Sequence, residues 1–321
     1  MRSWERTTVG RMNQFKIIEF YLELVRRAQE RGICCAITSG MACVAYEVAE
    51  ATKDCDLLCE PDHAADFLLL LADSPVDGAP CQYRGNISPP LDARWHRGGW
   101  TSHFEWPGTE AFLDVFGIAP RARSAWQEEM QPPYAHPHVV ADMKRTSREK
   151  DWPFVTALGV RLVEGGDARG WLHIYDVERM RVLLKTHPEI PDSILRARPL
   201  LRLLVEDDRM ISAALRLERT FWEELSKRRV MQYEQSLHPY LVAVRKARAG
   251  KHLSLQEDHD LRIGCAGEFL PPQPISSELL EEMVNESRLE AMVGLDPDMA
   301  RWLPDVIPNF TLLISGLHSH P

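Results

Sequence analysis

Apolar positions recur every three or four residues from about Met12 to Arg31, with Phe15, Ile18, Leu22 and Val25 on one stripe and Gly32 directly after. That period predicts an amphipathic helix closed by a C-terminal glycine. The period then shortens. Ile33–Thr38 is a continuous apolar run that predicts a buried strand, followed by a turn at Ser39 and Gly40 and a helix over Met41–Ala49. A strand over Cys55–Glu60, a helix over Asp62–Leu71 and a short strand over Cys81–Arg84 come next. Past the loop Gly85–Asp92, alternation predicts strands Trp100–Trp106 and Glu110–Gly117 around a Pro-Gly-Thr turn.

After Pro120 the pattern turns helical, with candidates Ser124–Met130, His138–Arg145, Trp152–Leu158, Tyr175–Thr186, Pro199–Val205, Met210–Lys227 and Gln235–Ala249. A proline-rich patch over Glu268–Ser277 precedes the last helices. Asp151, just before Trp152 and Pro153, is placed to cap a helix N-terminus. The order of elements predicts an α/β (α+β) protein, with a mixed-direction β-sheet core flanked by helices and a mostly helical C-terminal region. We expect two domains, residues 1–160 and 161–321, the second of unassigned role.

Composition narrows the class. With 45% hydrophobic and 26% charged residues in 321, the chain can bury a large core and is not disordered. The net charge of −9 argues against a broad nucleic-acid-binding surface, though it allows a local basic patch. Two such clusters exist. Lys144, Arg145, Arg148 and Lys150 form one, and a second runs from Lys227, Arg228 and Arg229 to Arg245, Lys246, Arg248 and Lys251. Glu218, Glu223 and Glu224 lie near the second, which reads as the solvated face of amphipathic helices. Seven cysteines in apolar runs, without C-x-x-C spacing, predict reduced thiols and a cytoplasmic protein. No run of about 18 apolar residues and no signal peptide is found, so neither a membrane span nor export is expected.

The chemistry concentrates between Ala36 and Glu60. In T-K-D-C-D, Asp54 and Asp56 have i, i+2 spacing, which aims both carboxylates at one point in an extended chain. Such a pair repels itself unless a divalent cation lies between, and Mg²⁺ favours one or two carboxylates completed by water and phosphate oxygens. The turn at Ser39 and Gly40, between strand and helix, offers backbone N–H groups to an anion. Gly40 would allow close approach of the ligand to the backbone. A third acid, Asp114, stands among alternating apolar residues in E-A-F-L-D-V-F-G.

Taken together, the order S/G-G-x-A, helix, T-K-D-x-D and a later strand aspartate resembles the nucleotidyltransferase superfamily that includes DNA polymerase beta, in its small bacterial branches. The segment M-K-R-T-S-R-E-K-D-W-P-F-V, from Met143 to Val155, resembles the K-x-x-x-R-x-K-D element of abortive-infection-type and related nucleotidyltransferases. The resemblance covers roughly residues 12–160. It implies a nucleotidyltransferase-like core in which Asp54, Asp56 and Asp114 bind Mg²⁺ or Mn²⁺ and act in catalysis. It further implies that Ser39, Gly40, Lys144, Arg148 and Lys150 bind the nucleotide, and that an NTP is the substrate. The acceptor would be a hydroxyl on an RNA, a protein or a small molecule. Ser39 stands where a glycine is usual, and no arginine precedes Thr52. A second expectation is therefore kept: a catalytically inactive nucleotidyltransferase-fold protein that binds a nucleotide or a partner protein, as in a toxin–antitoxin or defence pair.

Other features read as structural. His136 and His138 fit a proline loop entering a helix better than a metal pair, and His318 and His320 lie in a terminal tail. Trp95, Trp100 and Trp106 offer rings for stacking a base, but their placement is that of core residues.

Overall fold

A computed structural model describes residues 14–50, 55–119, 133–206 and 208–310. The first helix, α1 (Gln14–Glu30), is followed by β1 (Cys35–Thr38), α2 (Ser39–Ala45), β2 (Cys55–Cys59), α3 (Ala64–Ala72) and β3 (Gln82–Tyr83). Then come α4 (Ala93–Arg97), β4 (Thr101–Glu105), β5 (Phe112–Phe116), α5 (Pro137–Lys144) and α6 (Trp152–Glu164). The rest is helical: α7 (Val177–Thr186), α8 (Asp192–Ala197), α9 (Leu201–Val205), α10 (Ile211–Arg248), α11 (Leu255–Phe269) and α12 (Ser277–Ala291).

The five strands form one sheet in the order β1-β2-β5-β4-β3. Only the central β2–β5 pair is parallel, and its strands are joined through α3, β3, α4 and β4; the other neighbours run antiparallel. Strand alternation sorts the side chains onto two faces. Cys35, Ile37, Cys55, Leu57, Leu113, Val115 and Phe104 point to one side, where α1 and α3 cover them with Tyr21, Leu24, Val25, Phe67 and Leu71. The buried stripe of α1 centres on Tyr21, whose hydroxyl donates to the Phe112 carbonyl and receives the Phe112 N–H, both at 2.8 Å. Gly32, at φ +75, ends that helix in the left-handed conformation, and the Ile33 N–H returns to the Ala28 carbonyl.

On the opposite face Ala36, Leu58 and Phe116 are covered by α2, α5 and α6 through Cys43, Val139, Val140 and Leu158. Beyond that patch the face turns polar. Segment 133–135 runs beside β1, exchanging hydrogen bonds with both polar groups of Ile37, so that strand is paired on both sides.

A separate helical core joins α6 to α10 and α12 around Trp171, Leu201, Phe221, Trp222, Leu280 and Val306. At its centre a fully buried pair links Arg198 to Glu218 of α10, with NH2 to Oε2 at 2.8 Å. Arg198 NH1 also donates to the carbonyls of Trp171 and Ile174. With 38 residues, α10 is about 57 Å long at 1.5 Å per residue. Its second half packs Tyr240 and Val244 on Trp95 and Trp100, beside the sheet. The long helix therefore binds the helical core to the sheet.

Several expectations are refined by packing. The helices expected over Met210–Lys227 and Gln235–Ala249 are one helix, continuing through Pro239, which costs one backbone hydrogen bond but not the packing on either side. The helix starting at Trp152 extends to Glu164, so residue 160 lies inside it. Asp151 occupies the cap position yet bonds no helix N–H. Its carboxylate is drawn instead to Lys144, Thr146 and Arg148. The helix expected over Ser124–Met130 lies outside the described residues. No described helix is long and apolar enough to cross a membrane.

Candidate active site

Register across the sheet assembles the polar face. Thr38 pairs with Asp56, Asp56 with Asp114 and Asp114 with His103, and the Arg84 N–H reaches the His103 carbonyl. Residues opposite one another on adjacent strands share a face, so Thr38, Asp56, Asp114, His103 and Arg84 form one continuous row. Asp56 and Asp114 are neighbours on the central parallel pair. Asp54, the first acid of the expected metal pair, lies outside the described residues, as does Thr52.

The turn expected to meet the nucleotide adjoins this row, since Ser39 follows Thr38 directly. It is Ser39, not Gly40, that takes the left-handed conformation, at φ 55. A side chain in that region costs of order 1 kcal/mol or more, and such residues concentrate at ligand sites. The Thr38 hydroxyl meets the Met143 sulfur at 3.3 Å, which ties the turn to α5.

Asp114 Oδ1 lies 3.0 Å from Arg84 NH2 and 2.7 Å from His103 Nδ1. Arg84 NH2 and His103 Nδ1 are also 3.0 Å apart. Because arginine is only a donor and the shorter contact runs from Nδ1 to the carboxylate, we assign the proton to His103 Nδ1, donated to Asp114. Nε2 is then the ring's remaining lone pair. Both contacts use Oδ1, and Oδ2 is left for a further ligand. Hard carboxylate oxygens from Asp56 and Asp114, set side by side, are the donor type that Mg²⁺ takes, so the residues present fit that ion.

A cleft of about 350 Å³ opens beside this row, with His103 the row residue that lines it. His103 and Thr101 of β4, Phe116, Gly117 and Ile118 at the end of β5, and Met143 and Thr146 after α5 line one wall. The other wall is a face of α10 with Ser226, Arg229, Val230, Tyr233, Glu234 and Leu237, and Trp100 closes an end. The tryptophan indoles are held by backbone carbonyls: Trp95 by Leu270, Trp100 by Pro271 and Trp106 by Ser74. Trp95 and Trp106 are core, and Trp100 is a fixed wall of the cleft.

The expected phosphate cations are placed differently from the acids. Lys144 and Arg148 pair with the buried Asp151, at 3.4 and 2.7 Å, and Lys144 is itself buried. Lys150 is exposed and lines a second pocket, with Trp152, Tyr175, Arg179 and Arg219. The structure therefore brings Ser39, Gly40, Asp56 and Asp114 together and groups Lys144 and Arg148 around Asp151. Lys150→Ala is expected to change stability by under about 1 kcal/mol and leave NTP affinity at the wild-type value, since exposed ion pairs contribute little. Isothermal titration with a non-hydrolysable NTP checks this, and a tenfold weaker binding would restore Lys150 to the site.

His103, Arg84 and Arg229 were missed by sequence reasoning. His103 alternates with apolar residues in T-S-H-F-E, so its facing the Asp114 side was legible once the pairing was known, but the pairing itself was not. A separate group, Cys34, Glu60 and His63, has its donor atoms within 4.8 Å of one another at the opposite end of the β1–β2 pair. There His63 Nδ1 already accepts the Cys34 N–H at 2.9 Å. No family model, curated protein or solved structure matches the chain.

Proposed function

We propose that the protein is a Mg²⁺-dependent nucleotidyltransferase that moves an NMP from an NTP to a hydroxyl of an RNA, a protein or a small molecule. The observation that carries this reading is the in-register pair Asp56 and Asp114, next to the strained Ser39 turn and in one row with His103, which lines a cleft. Asp56 and Asp114, with Asp54, would hold Mg²⁺ or Mn²⁺, which supplies charge neutralisation at the phosphates and lowers the pKa of a bound hydroxyl. The backbone at Ser39 and Gly40 would bind phosphate oxygens. His103, which lines the cleft while Asp114 sits behind it, is placed to take the proton of the acceptor hydroxyl on Nε2, with Asp114 holding the ring in the required tautomer. Seven free cysteines, five of them buried, suit the reducing cytoplasm proposed for it.

An NTP with Mg²⁺ is expected to raise the melting temperature, by the equivalent of roughly 2.7 kcal/mol at a hundredfold excess over Kd. Asp56→Asn should abolish that shift. His103→Gln should lower turnover by about 10²–10⁴ while NTP affinity stays near wild type, because a general base acts in the transition state. Labelled NTPs of each base, tested with Mg²⁺ and Mn²⁺, check transfer.

The second reading, an inactive nucleotidyltransferase-fold protein binding a nucleotide or a protein partner in a toxin–antitoxin or defence pair, draws on one observation. Asp114 is already paired with Arg84 and hydrogen-bonded by His103. A melting shift without consumption of any NTP would select it.

A further inference from the structure

The second basic cluster reads in the sequence as a solvated helix face, and for two of its members the structure agrees. Lys227 pairs with Glu224 and Arg228 with Glu286 on the outside of α10. Arg229 is different. It is 91% buried, and no carboxylate among the described residues lies within ion-pair distance of it. Its Nε is buried without a hydrogen-bond partner, and its guanidinium stacks on the Phe310 ring at 5.0 Å. The Tyr233 hydroxyl lies beside it, donating its own hydrogen to the Gly98 carbonyl at 2.7 Å and so turning a lone pair to the arginine. A neutral oxygen does not compensate a buried cation.

Ser226, Arg229 and Tyr233 recur at i, i+3 and i+7, so they share the face of α10 that lines the cleft. Ser226 is buried there as well, and the exposed Glu234 carboxylate lies at the rim. Opposite stand His103 and Thr146, with Trp100, Ile118 and Met143 as apolar wall.

We propose that Arg229, with Ser226, is the anion receptor of the cleft, and that it binds a phosphate of the molecule held there against His103. This rests on the reading of the cleft as the substrate site. A guanidinium suits this task, since its planar donors match two phosphate oxygens at once. It also accounts for the missing counter-charge: the ligand provides it. The phosphate belongs either to the NTP or to a phosphorylated acceptor, and the two sources separate by competition.

The test compares wild type with Arg229→Met, which keeps the length and apolar stem, and with Arg229→Lys. Pyrophosphate without metal and each NTP with Mg²⁺ are titrated by calorimetry, and melting temperatures are taken without ligand. Arg229→Met should weaken binding of pyrophosphate at least tenfold, with Arg229→Lys between it and wild type. It should melt at or above the wild-type temperature, because an uncompensated buried charge has been removed. Displacement of pyrophosphate by an NTP would identify the phosphate as the nucleotide's, and simultaneous binding would identify it as the acceptor's. If pyrophosphate binds through Arg229 while no NTP binds or is consumed, the receptor stands and the nucleotidyltransferase reading falls. Wild-type affinity in Arg229→Met overturns the proposal, as does a wild type that binds neither pyrophosphate nor any NTP.

Discussion

Glu218→Gln is expected to destabilise the protein by about 3–5 kcal/mol, the cost of breaking a buried ion pair by removing one charge. Arg198 and Glu218 are 1% and 2% exposed, and among the described residues Arg198 pairs with no other carboxylate. Its NH1 is committed to the carbonyls of Trp171 and Ile174, and its guanidinium stacks on Tyr175 at 4.5 Å. It cannot swing out to water without breaking these contacts. The pair anchors α10 to the segment after α6, and α10 carries Ser226, Arg229 and Tyr233 two to four turns further on. The loss should therefore appear in ligand affinity as well as in the urea midpoint. The double variant Arg198→Met with Glu218→Leu should recover most of the stability, since two apolar side chains leave no buried charge. A loss under about 1 kcal/mol in Glu218→Gln would show that the pair is replaced by water.

The second large effect is acid lability beginning near pH 6.5. His96 is fully buried, and burial pushes its pKa down to about 3. Its Nε2 faces the Ser102 hydroxyl, which is itself donating to the Pro89 carbonyl, so Nε2 carries the hydrogen and the buried Nδ1 has no partner to receive a proton's charge. His173 is also held well below its ordinary pKa, first by burial and then by His138 and Arg145. Arg145 NH2 donates to His173 Nδ1 at 2.8 Å, which leaves Nε2–H to donate to His138 Nδ1 at 2.7 Å. His259, which accepts the Tyr83 hydroxyl, is shifted the same way by burial.

A folded-state pKa below the unfolded value near 6.5 means that the unfolded chain binds more protons as pH falls. The stability from keeping these rings neutral is present in full above about pH 6.5, and is lost below it, for His96 down to about pH 3. A neutral ring contributes a slope of about 1.4 kcal/mol per pH unit, so His96 removes roughly 2.5 kcal/mol between pH 6 and pH 4, and His173 acts in the same direction. Denaturation at each pH checks the slope, and His96→Gln should flatten it by one ring's share. An unchanged profile in that variant would show that His96 takes up its proton in the folded state without penalty.

Order and type of the elements were legible because they depend on local period. The alternation in E-A-F-L-D-V-F-G and the turn at Ser39 and Gly40 mark strand and turn before any partner is known. The candidate acids were legible for the same reason, since acids at alternating positions among apolar neighbours stand out. Helix ends were less so: α6 runs on to Glu164 because it packs on Trp171, and α10 passes through Pro239 because its Tyr240 packs on Trp95 and Trp100, and in both cases packing outweighs the local stop signals.

What the sequence determined by itself is therefore the mixed sheet followed by helices, the position of Asp56 and Asp114 on strands, and the location of the turn. Tertiary structure alone decided which charges are free. It paired Lys144 and Arg148 with Asp151, set His103 and Arg84 on Asp114, and buried Arg229 in the cleft beside His103 with no carboxylate of the described residues in reach. The reason is physical: a charge's meaning depends on the groups within a few ångströms and on its access to water, and both come from residues far apart in the chain.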